Sequence, residues 1–366
     1  MKKISLILLA VLVLFSAACN RQQAARSVEA FELALVTDLG TIDDKSFNQG
    51  SWEGLVQYAK ANNISHKYYQ PSEQSHDAYL TTIDLAVRGG AKVIVTPGFL
   101  FETPIFHAQD RYPDVHFILV DGVPNDGDWS RGVPTYKTNS NVVGVLYAED
   151  QAGFLAGYAS VKDGNRRLGF MGGMAVPAVV RFGYGFVQGA EYAAQELGLS
   201  TGSITINYHY TGHFNATPEV QTMAASWYNA GVDVIFGCGG AVGNSVMAAA
   251  EQAGRKVIGV DVDQSSESPT VITSAMKGLQ TSVFVCISNY YADRFPGGQT
   301  LVFEAVNSGV GLPMATSKFS SFTDGDYNTI FHKLANGTIP RMLDDPAADG
   351  SPSIVPVALT IVTEIK

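Results

Sequence analysis

Short, continuously apolar runs alternate with longer segments of helical spacing along most of this chain, and that alternation constrains its fold more than any other feature. The runs are "ELALVT" (32–37), "KVIVT" (92–96), "HFILV" (116–120), "RLGFM" (167–171), "SITINYHY" (203–210), "VDVIFG" (232–237) and "KVIGV" (256–260). Most lack the polar–apolar alternation of a strand with one wet face. A strand covered on both faces reads this way, as in a parallel sheet flanked by helices. Between the runs lie "SFNQGSWEGLVQYAKAN", "DAYLTTIDLAVRGG", "FGYGFVQGAEYAAQELG", "TPEVQTMAASWYNAG" and "GNSVMAAAEQAG", most of them closing near a glycine suited to end a helix. The pattern runs twice, over 32–137 and again over 142–258. One sheet holding every strand would be very wide, so two α/β domains are expected.

Beyond residue 258 the text changes. "TVITSAMKGLQ" leads into a long apolar helical run, "QTLVFEAVNSGVGLP" (299–313) reads as a hairpin-like strand and turn, and the end holds a short helix over 327–339 and a last strand in "VPVALTIVTEI". This is too little for a third domain. It is expected to return and complete both sheets, so that the chain crosses between them several times. The expected lobes are 32–140 with 261–315, and 141–260 with 316–366.

The N-terminus "MKKISLILLAVLVLFSAAC" has two lysines, an apolar stretch from Ile4 to Phe15 and small residues before Cys19. That is the layout of an export signal, and the apolar stretch is short for a membrane span. Small residues ahead of a cysteine resemble a bacterial lipoprotein box, with Ser16 where such boxes usually carry leucine. The resemblance makes 1–18 a signal peptide, Cys19 the lipidated first residue of an anchored protein, and 19–31 a tether. Cys238 in "VDVIFGCGG" and Cys286 in "TSVFVCISN" sit in apolar text and read as two separately buried thiols, with no metal set around them.

Charge narrows the function. With 24 Lys+Arg against 34 Asp+Glu the formal net charge is -10, and no basic tract stands out, which argues against a nucleic-acid partner. A dinucleotide fingerprint after the first strand and a phosphate-cradling loop ending in Lys-Ser/Thr are both absent, and so is a G-x-S-x-G elbow. Of the 7 histidines, His209 and His213 are spaced i,i+4 in "YHYTGHF", a β-rich stretch without the metalloprotease pattern. No catalytic set, metal site or cofactor is expected.

In open parallel sheets ligands bind beyond the carboxyl ends of the strands. The text just past each run is rich in acids, glycines and rings: Asp38 and "DDKSFN", then Asp121-Gly122, Gly172-Gly173 followed by Arg181-Phe182, Gly239-Gly240, and Asp261. Asp121 and Asp261 can each accept from vicinal hydroxyls of a sugar or ribose, and Asn48 can read an amide-like edge. Phe47 and Phe182 can sandwich a flat heterocycle, and Lys277 can donate to a hydroxyl or ring nitrogen. The competing structural roles are that Asp43 or Asp44 caps the helix starting near Ser46, that Phe182 is a core residue of its helix, and that the glycines only make sharp turns.

"ALVTDLGTIDDKSFNQGSWEGL", "LGFMGGMAVPAVVRFGYGFVQG" and "VIGVDVDQ" resemble the basic membrane protein family of bacterial lipoproteins, the PnrA/TmpC-like purine nucleoside receptors of ABC importers. The resemblance spans about 32–300. It implies a type I periplasmic-binding fold: two Rossmann-like, three-layer α/β domains joined by three crossovers, with the ligand in the cleft between. It also implies that Phe47 and Phe182 stack the purine, that Asp44 and Asn48 meet the base edge, and that Asp121 and Asp261 bind the ribose hydroxyls. Gly239, Gly240 and Lys277 would line the same pocket, and the roles of Asp43 and Asp44 stay unseparated. The partners implied are a nucleoside such as inosine, guanosine or adenosine, an ABC permease, and the membrane through Cys19, on the extracytoplasmic side. The alternatives are a sugar or autoinducer-type receptor of the same fold, or an exported nucleoside-cleaving enzyme.

Overall fold

The computed structural model describes residues 31–341 and 350–365. The expected signal peptide, Cys19 and all but the last residue of the tether lie outside the described residues.

Two sheets account for the apolar runs. The first contains β1 (Leu33–Val36), β2 (His66–Tyr69), β3 (Val93–Pro97), β4 (His116–Val120), β5 (Val142–Tyr147) and β11 (Gln299–Phe303), in the order β11-β5-β4-β3-β1-β2 with every pairing parallel. The second contains β6 (Arg167–Gly172), β7 (Ile204–Tyr210), β8 (Val234–Cys238), β9 (Lys256–Asp261), β10 (Val271–Lys277), β12 (Val310–Gly311) and β13 (Thr360–Glu364), in the order β12-β10-β9-β8-β6-β7-β13. Only the β10–β12 pair is antiparallel. Each sheet carries the same inner order, second-first-third-fourth-fifth, and so has a topological switch beside its first strand.

The helices are α1 (Phe47–Asn62), α2 (His76–Arg88), α3 (Glu102–Arg111), α4 (Glu149–Lys162), α5 (Pro177–Glu196), α6 (Pro218–Asn229), α7 (Val242–Ala253), α8 (Leu279–Tyr291) and α9 (Asp324–Ala335). Successive strand residues enter different cores. Leu33, Leu35, Val93, Val95, Ile118 and Val120 join the cluster containing Leu55 of α1 and Val283 of α8. Ala34, Val36, Ile94, Phe117 and Leu119 join Ile83 of α2 and Ile105 of α3. Burial on both faces is why these strands lack polar alternation.

The chain crosses between the sheets after β5, after β10 and after β11. The expected lobe boundaries therefore need correction. Residues 142–147 belong to the first sheet, between β4 and β11, and residues 271–277 belong to the second, beside β9. The expected hairpin over 299–313 is also corrected: β11 and β12 enter different sheets, because β11 pairs in parallel with β5 whereas β12 pairs with β10. At Gly278 the chain passes from β10 of the second sheet into α8, which packs on α1 beside the first.

Helices α4 and α5 pack at backbone contact. A Cβ on Gly153 or Gly157 would lie 2.1 Å from the carbonyl oxygen of Phe182 or Phe186, and one on Gly185 or Gly189 would lie 2.0 Å from that of Asp150 or Phe154. Glycine at these four positions is what admits the approach, and the approach sets Glu149 of α4 beside Arg181 and Phe182 of α5.

Candidate functional site

The loop from β1 into α1 builds one wall of a cavity. Ser46 occupies the N-cap position of α1 but makes no side-chain cap. Asp44 does that work: its carboxylate accepts from the backbone N–H groups of Ser46 (2.9 Å), Asn48 (3.0 Å) and Gln49 (3.0 Å). Burial pushes the Asp44 carboxyl up to about 6, against the pull of those three bonds, and the charge of Asp261 adds to the rise. Asp43 is exposed, which separates the two neighbours. The cap takes most of Asp44's acceptor capacity.

With Asp44 capping, the Ser46 hydroxyl is free to reach the other lobe, where it donates to Asp261 at 2.5 Å. Asp121 directly follows β4 and Asp261 ends β9, and both adopt left-handed backbone, with φ of 59° and 68°. Strain of this kind collects at functional sites. Lys277, at the end of β10, joins them. Its ammonium donates to Asp121 and lies 3.5 Å from Glu149 and from Asp261. Burial alone would lower the lysine's pKa, but Asp121, Asp261 and Glu149 outweigh it and hold the group above the ordinary value. Burial raises the Asp121 carboxyl against the pull of Lys277. Burial likewise favours neutral Glu149, yet Arg181, at 2.7 Å, and Lys277 hold that carboxyl below the ordinary range.

The same ammonium lies over three aromatic faces: Phe47 at 4.6 Å, Tyr147 at 5.4 Å and Phe182 at 5.4 Å from the ring centroids. Phe47 and Phe182 thus turn their faces toward one point from opposite lobes. Phe182 is 1% exposed and meets Phe236 edge-on at 5.9 Å, so it is a core residue and a cavity wall at once.

The cavity has a volume of about 400 Å³ and reaches both sheets' carboxyl ends, within the usual range for a small-molecule site. Asp44, Phe47, Asn48, Asp121, Phe182, Gly239, Gly240, Asp261 and Lys277 all line it. The glycine turn has φ of 129° at Gly239 and 51° at Gly240, and Phe214 packs against it. On the lining residues, the buried acceptors Asn48 Oδ1 and Asp121 Oδ1 have no protein partner.

The sequence placed Asp38 among the strand-end acids without a ligand role, and it gave no sign of Phe214 and Asn215 in the lining or of Glu149 and Tyr147 beside it. Glu149 lies two residues past β5, so the strand-end rule that picked out Asp38 was sufficient to find it as well. Phe214 and Asn215 lie beyond β7 on a loop whose path over the glycine turn has no local signature. His209, within β7, bonds the Ile365 carbonyl at 2.7 Å, while His213 accepts from Asn215 N–H in the loop beyond, so the two histidines have separate partners.

Comparison with known proteins gives this cavity its context. The family described as ABC transporter substrate-binding protein PnrA-like matches residues 31–341. The ABC transporter nucleoside-binding protein BmpA of Lactococcus lactis subsp. cremoris is 30% identical over 310 residues, covering 78% of this chain and 82% of that protein. Basic membrane protein B of Borreliella burgdorferi is 27% identical over 311 residues, covering 83% and 86%. An ABC-transporter solute-binding protein from Aeropyrum pernix K1 superposes with a TM-score of 0.72 at 22% identity, covering 84% of this chain and 91% of its own, which shows the type I periplasmic-binding fold. The match across residues 31–341 means that this chain belongs to the PnrA-like family of ABC transporter substrate-binding proteins.

Proposed function

We propose that this protein captures purine nucleosides between its two lobes and delivers them to an ABC permease. The observation that carries the reading is the pairing of Phe47 and Phe182, which turn aromatic faces toward one cavity from opposite lobes, with the unpartnered Asp121 Oδ1 beside them. A flat base fits between such faces, where each stack contributes about 1–3 kcal/mol. Asp121 Oδ1 and the Asp261 carboxylate are acceptors suited to ribose hydroxyls, and Lys277 lies against both side chains. Asp38, Asp44, Asp121, Glu149 and Asp261 surround the space with carboxylates against Lys277 and Arg181, a field that opposes a phosphate group. The nucleoside-binding name of the Lactococcus relative points the same way.

Capture would proceed by hinge closure. The lobes meet through Ser46 and Asp261, through Lys277 and Asp121, and through Gln264, whose amide donates to the Lys45 carbonyl at 2.7 Å. The pairing of Lys45 with Glu267 at 3.7 Å adds a rim contact. We extend the proposal to the N-terminus: export by the 1–18 signal and lipid anchorage through Cys19, which Cys19→Ala would abolish by releasing the protein from the membrane fraction. The test of the ligand is mass spectrometry of small molecules released on denaturing the purified protein, followed by calorimetry. Micromolar or tighter binding of inosine, guanosine or adenosine is expected. Binding of free sugars and no nucleoside would overturn the reading.

A further inference from the structure

We infer that Glu102 is the positioning residue for Asp121: it ties down the turn that leaves β4 and so sets how strongly the site prefers a ribose over a deoxyribose. This rests on the nucleoside reading above.

Glu102 opens α3 and does not line the ligand cavity. It lines a second cavity, of about 580 Å³, together with His76, Tyr79 and Trp129. It can act on the ligand only through what it holds, and it holds the turn after Asp121. The sheet fixes Asp121 from one side, where its backbone N–H donates to the Val145 carbonyl at 2.8 Å. β4 ends at Val120, and beyond Asp121 Glu102 takes over. Its Oε1 accepts from the Val123 backbone N–H at 2.8 Å, and its Oε2 accepts from Asn125 Nδ2 at 2.7 Å. Asn125 is buried, and its own Oδ1 accepts from the Gly127 N–H at 3.0 Å, which leaves its NH₂ for Glu102. Gly122 lets the stem lie against the turn: a Cβ there would stand 2.9 Å from Glu102 Cγ. Burial pushes the Glu102 carboxyl up to about 7, against the pull of both bonds and of the Arg181 charge, so the fold keeps an acid here at some cost.

Asp121 needs such a hold. Its left-handed backbone persists only where the surroundings overdetermine it. Its Oδ2 accepts from Lys277, and its buried Oδ1 has no protein partner. A hydroxyl bonds that oxygen well only when the two are aligned, because hydrogen bonds weaken steeply with angle. Ring stacking is more tolerant. A small rotation of the Asp121 backbone therefore costs hydroxyl recognition before it costs binding of the base.

The experiment is calorimetry on the purified protein with the tightest-binding of inosine, guanosine and adenosine, and with its 2′-deoxy and 3′-deoxy analogues. In the wild type at least one analogue is expected to bind about tenfold or more weakly than the ribonucleoside. Asp121→Ala should shrink one such gap to about threefold or less, which identifies the hydroxyl that Asp121 reads. Glu102→Ala should shrink the same gap to about threefold or less and leave the gap for the other hydroxyl within about twofold of its wild-type value. Added to Asp121→Ala, it should not change that gap further, since a residue that acts through another has no effect once the other is gone. Glu102→Gln keeps the shape and the Val123 bond but meets the Asn125 NH₂ with a second NH₂, so its gap should fall between those of wild type and Glu102→Ala. A gap untouched by both Glu102 substitutions, or an affinity loss shared equally by all three ligands, would overturn the role of Glu102. So would a wild-type gap that survives Asp121→Ala. Equal wild-type binding of ribonucleoside and both analogues would overturn the inference while leaving the nucleoside reading intact. Failure of all three ribonucleosides to bind the wild type would instead sink the nucleoside reading, and this inference with it. If Glu102→Ala does not fold, Glu102→Gln decides by the same criterion.

Discussion

Replacing Lys277 with methionine keeps the length of the side chain and removes its charge. The structure sets the size of the effect. Lys277 is 4% exposed and its ammonium contacts Asp121, Glu149 and Asp261, while Arg181 pairs with Glu149. Breaking a buried pair by removing one partner costs about 3–5 kcal/mol, because the remaining charges are left uncompensated. With an unfolding entropy of roughly 2 cal/mol/K per residue, a chain of this length loses about 4–7 °C in Tm. The variant can relieve the penalty by binding protons. Burial already holds the Asp121 carboxyl up at about 7 against the pull of Lys277, and loss of the lysine moves it higher still. Below its folded pKa Asp121 keeps a proton that the unfolded chain, with a value near 4, has released, so stability falls as pH rises until that pKa is passed. Wild type stops losing stability near pH 7 while Lys277→Met goes on losing it, so the difference between them should be nearly level from about pH 5 to 6 and widen from about pH 7 to 8. Thermal melts of both proteins across that range read it directly, and changes common to both cancel. Adding Asp121→Asn to the variant removes one of the stranded charges and should recover more than about 1 kcal/mol, since contacting groups couple by that order. A pH-independent penalty, or one under about 1 kcal/mol at pH 7.5, would show that the lysine does not neutralise this cluster.

Other substitutions separate roles that share one cavity. Asp44→Ala removes the acceptor of three backbone N–H groups and should cost about 1–2 kcal/mol in denaturant unfolding, whereas exposed Asp43→Ala should stay within about 0.5 kcal/mol. Phe47→Ala, at a partly exposed site, should weaken nucleoside affinity by about 1–3 kcal/mol in calorimetry and leave most of the stability. Phe182→Ala should lose affinity and also about 3–5 kcal/mol of stability, because that ring is a core residue. Gly153→Ala would drive a methyl into the Phe182 carbonyl and should lower Tm sharply, whereas Gly243→Ala, with no neighbour nearer than 3.7 Å, should raise stability by about 0.5–1 kcal/mol.

The strands were legible because burial on both faces leaves an unbroken apolar signature. Even β5, "VVGVLY", has it, but 142–147 fall where the pattern of runs restarts, and a strand at a boundary is assigned by its partners rather than by its own text. The same limit applies to β11 and β12: each is a plausible hairpin arm, and only pairing with β5 and β10 sends them apart. Site residues at strand ends could be located from the sequence, since parallel sheets expose their carboxyl ends. Relations between them could not. Ser46 sits 215 residues from the Asp261 it bonds, and Lys277 sits 156 from Asp121. The split between Asp43 and Asp44 turned on which carboxylate folds back onto the helix, a matter of loop geometry with no compositional trace.

The cavity is costly to the fold that holds it. It keeps two aspartates in left-handed backbone, buries carboxylates whose charge burial opposes, and leaves two buried acceptors without protein partners. A site in that condition persists only where the surrounding packing overdetermines it. Here α4 and α5 meet at carbonyl contact through four glycines, and that contact fixes Glu149 at the start of α4, where the helix dipole also favours an anion, against Arg181 in the second turn of α5. Glu149 in turn anchors Lys277, and Lys277 holds Asp121 across the cleft. Helix packing away from the ligand surface therefore bears on affinity. A change such as Gly157→Ala, about two turns along α4 from Glu149, should disturb nucleoside binding through the position of Glu149 although it removes no group that faces the cavity.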